Sequence, residues 1–385
     1  MYKVLGIGQP LLDKIFRVSE ESLKKIGIHE KGGSSLIHSE AELQEMLQRI
    51  QNALLEQQEH SPDYVRNSDG EDDAPDSDTK PIIVAGGSCA NTVKGISSFG
   101  ERCGFIGKIG ADQAGQFYKQ TMSKRGVIPL MTESFGRTGQ VICLVTPDGQ
   151  RTMRAYLGEG NDLNESELLE QDFKGVKLVH FEGYCIYNPL LTERAMRMAK
   201  QNGALVSFDM GSFEVVRRYQ TKILQLLQDY VDIVFCNVEE AAMLINGTPE
   251  ECVEFLAAYC KVAIVMMGSK GCWVKSGADK HRCPTKAIQD PVDTTGAGDL
   301  FASGFLYGYL QGYTLEQCAR LGSLSGAEVV QVMGAEIPLE KYAKIKQDVN
   351  NVRLVANVRE SKGTSDPIAF GSSPSVSYMN KIRNV

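Results

Sequence analysis

The stretch "DTTGAGDLFASG", Asp293 to Gly304, places three small residues directly before an acid and an apolar run directly after it. Glycine weakens a helix interior. At a helix start it lets a ligand approach the backbone and leaves N–H groups free for an anion. In this reading Gly296, Ala297 and Gly298 form an anion hole that stabilises the equatorial oxygens of a transferring phosphoryl group. Asp299, in the same turn, accepts the proton of the attacking hydroxyl. The helix dipole is expected to keep that carboxylate ionised at neutral pH. An ordinary Asp cap would leave the same trace, so the rest of the chain must supply partners.

Four further stretches can do so. "NVEE" (237–240) follows an apolar strand, and Asn237 and Glu240 there can orient Mg²⁺ through water; a plain helix cap has the same pattern. "AGGSCAN" (85–91) offers Gly87 for close backbone approach, with Ser88 and Asn91 to hydrogen-bond a hydroxyl. Asp13, closing "GQPLLD", can accept from two adjacent hydroxyls. "MMGSKGC" (266–272) is a Gly-rich turn whose Gly268, Ser269 and Gly271 suit an adenine and its ribose. Other phosphate devices are missing. No G-x-x-x-x-G-K-[ST] occurs, and "GIGQPL" carries Leu11 where a dinucleotide fingerprint needs glycine.

The elements that must position these residues alternate. Apolar runs at 177–184, 204–210, 232–238 and 262–267 read as buried strands. Between and after them, 191–203, 219–230, 239–245 and 251–260 read as helices, with Gly203 at a C-cap position. Continuously apolar strands spaced by helices imply a parallel sheet covered on both faces, with ligands beyond the strand carboxyl ends. Asp209, Asn237, Glu240 and Gly268 fall at such ends. "GQVICLVTPDGQRTMRAYLG" (139–158) reads as strand, turn and strand. With a short β segment at 29–37 it is expected to form a small sheet lying over the main domain.

The 385 residues are 42% hydrophobic and 23% charged, with net charge −7. The composition is globular, and a nucleic-acid partner has no support. The ten cysteines stand singly with no metal-ligand spacing against the five histidines; they read as reduced, buried thiols. No apolar run is long enough to span a membrane. The N-terminus lacks signal-peptide character, so a cytoplasmic location is expected. Residues 56–80 are polar and acidic and read as a disordered insertion, and 361–385 as a flexible tail.

Taken together and in this order, "AGGSCANTVKGISSFG" and "DTTGAGDLFASGFLYG" resemble the two signatures of the PfkB family, the ribokinase and adenosine kinase superfamily. The resemblance covers about residues 1–40 and 80–345. It implies one kinase domain over 1–345 with a Rossmann-like, three-layer α/β/α ribokinase-like fold. A small β-sheet lid is expected from about 12–37 and 137–158. It implies ATP-dependent phosphorylation of a hydroxymethyl group, with Asp299 as base and Gly296, Ala297 and Gly298 as anion hole. Asn237 and Glu240 match the Mg²⁺-positioning motif, and Asp13, Gly87 and Asn91 the substrate-hydroxyl ligands. The loop of Asp293 and Thr295, with Gly334, resembles a monovalent-cation site suited to K⁺.

"GQPLLD" is similar to the "GNPLLD" of adenosine kinases, and "SFEVVR" (212–217) to a plant group with cytidine kinase activity. Tyr184 and Phe213 fall where nucleoside kinases stack aromatics on the base, although either position also suits core filling. The reading is a nucleoside kinase acting on a 5′-hydroxyl. Two alternatives stand beside it: a ribose- or fructose-type sugar kinase, and a non-catalytic scaffold. The expected partner is a small nucleoside or sugar, and the expected state a monomer or homodimer.

Overall fold

The computed structural model describes residues 2–29, 31–59, 80–286 and 288–360. The strands are β1 Val4–Ile7, β2 Leu11–Arg17, β3 Ser34–Leu36, β4 Ile82–Gly86, β5 Cys103–Gly110, β6 Val127–Ser134, β7 Gly139–Val145, β8 Arg151–Tyr156, β9 Leu178–Glu182, β10 Leu205–Asp209, β11 Ile233–Asn237, β12 Val262–Met266, β13 Cys272–Ser276 and β14 Asp279–Cys283. The α-helices are α1 Glu20–Lys25, α2 Glu40–Glu59, α3 Ser88–Ser98, α4 Gln113–Lys124, α5 Pro189–Gln201, α6 Phe213–Asp229, α7 Val238–Ala242, α8 Pro249–Leu256, α9 Ala297–Leu310, α10 Leu315–Val329 and α11 Leu339–Glu360. Residues 1–346 form one compact unit, and residues 347–385 a second, described only where α11 runs through it.

The main sheet has nine strands in the order β14-β13-β12-β11-β10-β9-β1-β5-β6. It is parallel from β6 to β12, and β13 and β14 add an antiparallel hairpin at one edge. Its central strands are buried on both faces, as the apolar runs require. One core packs Phe181, Val206 and Val234 against α5, α6 and α8. The other packs Phe105, Phe235 and Ile264 against α3, α4, α9 and α10. These are the three layers of a ribokinase-like α/β fold. Strand order reverses between β1 and β9, which places the switch-point crevice beside Gln9 and Glu182.

The lid is a five-stranded sheet, β3-β8-β7-β2-β4. It is larger than the sequence suggested, because β4 belongs to it. The strand leading into "GGSCAN" pairs antiparallel with β2, opposing Asp13 with Val84. The loop after β1 thus turns directly into the lid. The periodicity of 40–59 went unread in the sequence. Leu43, Ile50, Ala53 and Leu54 of α2 pack with Leu23 of α1 and its C-cap Ile26 on Ile142 and Leu144 of the lid. Residues 56–59, expected in the disordered segment, instead close this helix. The acidic stretch from 60 to 79 and the tail 361–385 lie outside the described residues. Helix α6 also starts six residues before its expected position, because Ser212 caps it by accepting from Val215 N. The ten cysteines are free, nine of them buried. No helix among the described residues is long and apolar enough to cross a membrane.

Helices α9 and α10 pack closely because α9 presents glycines. A Cβ on Gly304 would lie 2.7 Å from the Leu321 carbonyl oxygen, which is backbone and cannot yield. Gly304→Val should therefore lower stability by about 1–3 kcal/mol through overpacking, read as a fall in Tm against the parent chain.

Candidate functional site

The loops beyond the carboxyl ends of the parallel strands and the inner face of the lid enclose a cavity of about 680 Å³. That is a size suited to small molecules. It is lined by Asp13, Gly87, Ser88, Asn91, Tyr184, Asn237, Glu240, Gly268, Ser269, Gly271, Thr295, Gly296, Ala297, Gly298 and Asp299. The tertiary structure thus gathers residues spread over almost 290 positions onto one wall.

Asp299 is the third residue of α9, whose N-cap is Gly296 in a left-handed conformation, φ +70°. Only glycine adopts this readily. A Cβ there would also lie 2.5 Å from the Cβ of Ala335. The Ala297 N–H turns back to the Thr294 carbonyl at 3.3 Å, which leaves the next two first-turn N–H groups, those of Gly298 and Asp299, for an anion. First-turn N–H groups have no intrahelical acceptor. A Cβ on Gly298 would meet only Met266 Cε, at 3.6 Å, so the backbone there faces open cavity.

The Asp299 carboxylate is held by α3. Ser88 Oγ donates to Oδ1 at 2.7 Å and Asn91 Nδ2 to Oδ2 at 2.9 Å, and Thr92 Oγ1 donates to the Asp299 carbonyl at 3.1 Å. Ser88 and Asn91, expected as substrate ligands, therefore also orient the acid. The helix dipole does not by itself govern ionisation, as the sequence suggested. Burial raises the Asp299 pKa, while the Asn91 and Ser88 bonds and the charges of Lys94 and Arg151 oppose it. Asn91 Oδ1 is buried and lacks a partner among the described residues, and so does Ser323 Oγ elsewhere on the wall.

Asp13 enters from β2. Gly86 leaves the room it needs, since a Cβ there would fall 2.2 Å from Asp13 Oδ2. Desolvation pushes the Asp13 carboxyl up to about 7, against the charges of Lys94 and Arg151. Gly87 caps α3 at φ +94°, where a Cβ would lie 2.6 Å from the Gln9 carbonyl oxygen. Below this loop Glu182 ties the switch point together. Its Oε1 accepts from Gln9 N at 2.7 Å and its Oε2 from Cys89 N at 2.8 Å. Burial lifts its pKa to about 7.

Asn237 and Glu240 do form a capping box. Glu240 Oε2 accepts from Asn237 N at 2.9 Å and Oε1 from Asn237 Nδ2 at 2.8 Å. The cap and the site are one structure, because both residues line the cavity. Desolvation raises the Glu240 carboxyl to about 7, and burial raises Asp209 beside it. Neither has an ion-pair partner among the described residues. Two buried carboxylates with no counter-charge fit a hydrated divalent cation.

Asp293 is 2% exposed. Its Oδ1 accepts from Thr295 N at 2.8 Å and Thr295 Oγ1 at 2.5 Å, and its Oδ2 from Gly334 N at 2.7 Å. Arg151 Nε of β8 lies 3.1 Å from Oδ1. Arg151 already balances the charge of this carboxylate, so it offers no unpaired charge to an added monovalent cation.

Tyr184 lines the cavity, with its hydroxyl donating to the Gly211 carbonyl at 3.3 Å. Phe213 does not line it. As the first residue of α6, just past the Ser212 cap, it is 39% exposed. Its expected place is taken by Tyr187, whose ring lies 6.2 Å from that of Tyr184. The sequence reading also missed Arg151, Glu214 and the small face of α10, Ser323, Gly326 and Ala327 with Val330. That face was legible as small residues at helical spacing.

Residues 62–342 match the family described as pfkB family carbohydrate kinase. An uncharacterized sugar kinase of Archaeoglobus fulgidus is 29% identical over 246 residues, 63% of this chain and 96% of that protein. A cytidine kinase of Thermococcus kodakarensis is 26% identical over 265 residues, 67% of this chain and 91% of that protein. The crystal structure of adenosine kinase from Sinorhizobium meliloti superposes with a TM-score of 0.73 at 30% identity, covering 90% of this chain and 99% of that one.

Glu182 generates a test of the site's scaffold. Glu182→Ala leaves the Gln9 and Cys89 N–H groups buried without acceptors, at about 1–3 kcal/mol each. Urea denaturation should show a loss of that order, and an unchanged midpoint would remove Glu182 from this role.

Proposed function

The chain belongs to the PfkB family of carbohydrate kinases, ATP-dependent phosphotransferases acting on a hydroxyl group, and on that premise we propose that its acceptor is the 5′-hydroxyl of a ribonucleoside, adenosine or cytidine. The observation that carries this reading is the acceptor wall. Tyr184 and Tyr187 from below, and Leu11, Leu36, Val141 and Met153 from the lid, make a large aromatic and aliphatic surface. A flat base fills such a surface by stacking. A lone sugar, which offers hydroxyls on every side, leaves it uncovered. The similarity to proteins named cytidine kinase and adenosine kinase supports the same choice.

In this mechanism the ribose hydroxyls bond to Asp13, beside which Asn91 lines the cavity. The 5′-oxygen attacks the γ-phosphorus of ATP, its proton passes to Asp299, and ADP leaves. The Gly298 and Asp299 N–H groups stabilise the equatorial oxygens as charge builds. The adenine and ribose of ATP lie along Gly268, Ser269 and Gly271 and the small face of α10. Gly271, at φ +87°, has the Cys283 carbonyl oxygen 2.0 Å from where a Cβ would be, so the turn admits no other residue. Through water, Asn237 and Glu240 would hold Mg²⁺, which would supply positive charge against the phosphates.

Purified protein with ATP and Mg²⁺ should consume ATP on adenosine or cytidine and not on ribose or fructose. Turnover on a sugar alone would overturn the nucleoside reading, and it is the outcome favoured by the likeness to a protein named sugar kinase. Asp299→Asn should lower kcat by about 10²–10⁴-fold with ATP affinity retained. The acid limb of kcat/KM reports the base. Because Ser88 holds the Asp299 pKa down, Ser88→Ala should move that limb to higher pH.

A further inference from the structure

We propose that Arg151 supplies, from within the chain, the positive charge that a monovalent cation would bring to the Asp293 loop, and that it is a positioning residue for the anion hole. This rests on the phosphotransfer chemistry and not on the identity of the acceptor. The loop is a short mechanical chain. Asp293 Oδ1 fixes Thr295 through both its N–H and its hydroxyl, and Thr295 precedes Gly296, the N-cap of α9. Oδ2 fixes Gly334 N, and Ala335 next to it packs against Gly296. The placement of the first turn of α9, and so of Gly298 and Asp299, depends on this one carboxylate being held in place.

A carboxylate 2% exposed needs a counter-charge. Arg151 provides it with Nε 3.1 Å from Oδ1, on a side chain only 12% exposed. A guanidinium stays charged under all ordinary conditions and cannot dissociate from the chain. A second cation at the same carboxylate would meet that charge at short range, with the carboxylate oxygens already accepting from Thr295 and Gly334. The carboxylate therefore lacks the unbalanced charge that draws in a potassium ion.

The origin of the arginine adds a consequence. Arg151 is the first residue of lid strand β8, opposite Val145 of β7, whereas Asp293 leads into a helix of the main domain. The counter-charge therefore comes with the lid, and the anion hole is electrostatically complete only with the lid seated as it is here.

The test compares the intact chain and its variants in potassium chloride and in tetramethylammonium chloride at equal ionic strength, with ATP and Mg²⁺ present in the turnover arm. The parent chain should show the same kcat and the same Tm in both salts. Arg151→Met should lose turnover and Tm in tetramethylammonium, and potassium should restore both, with a rise in kcat of about 5-fold or more. Arg151→Lys, which keeps the charge, should stay indifferent to potassium. A parent chain strongly activated or thermally stabilised by potassium would overturn the proposal. So would an Arg151→Met chain whose Tm and turnover both ignore potassium. The melting arm needs no acceptor, so an error in the nucleoside reading leaves it readable.

Discussion

Five carboxylates crowd the carboxyl edge of the sheet, and the arrangement of the site follows from that crowding. Burial pushes Asp13, Glu182 and Glu240 to about 7 and raises Asp209 and Asp299 as well. Each ionised form must find donors or cations. Glu182 finds backbone N–H groups, Asp299 finds Ser88 and Asn91, and Glu240 finds the backbone and side-chain nitrogens of Asn237. For Glu182 and Asp299 the donors come from other elements, so satisfying those charges also ties segments together. Asp209 and Glu240 have hydrogen-bond donors but no ion-pair partner among the described residues.

The cations that face this edge come from the periphery. Lys94 of α3 bonds the Ala85 carbonyl at the end of β4 and lies 2.8 Å from Glu336, which Arg125 also engages at 2.6 Å. Arg151 comes from β8. Both lower the Asp13 and Asp299 pKa values. The lid is thus more than a cover. Through β4 and β8 it is tied to Lys94 and Arg151, whose charges act on Asp13, Asp299 and Asp293.

Much of the site was legible because its parts are local. A glycine N-cap followed by an acid, an Asn and a Glu three apart, and paired glycines before a helix each encode a turn whose geometry is fixed within a few residues. The parallel sheet was legible for a related reason, since strands buried on both faces must be apolar throughout. Helix α2 was legible too, by the spacing of Leu43, Met46, Leu47, Ile50, Ala53 and Leu54, and was passed over beside the acidic stretch that follows it.

The sequence by itself therefore determined the family, the fold class and the local turn that sets a glycine N-cap before Asp299, since those depend on backbone conformation and on side-chain chemistry at short spacing. Only the tertiary structure decided the contacts between distant segments. It set Ser88 and Asn91 on the base, replaced Phe213 by Tyr187 on the cavity wall, recruited β4 to the lid, and brought Arg151 to Asp293, 142 positions away. A side chain's partner across such separations is fixed by strand register and by which face of a helix turns inward, and these are settled by packing of the whole domain.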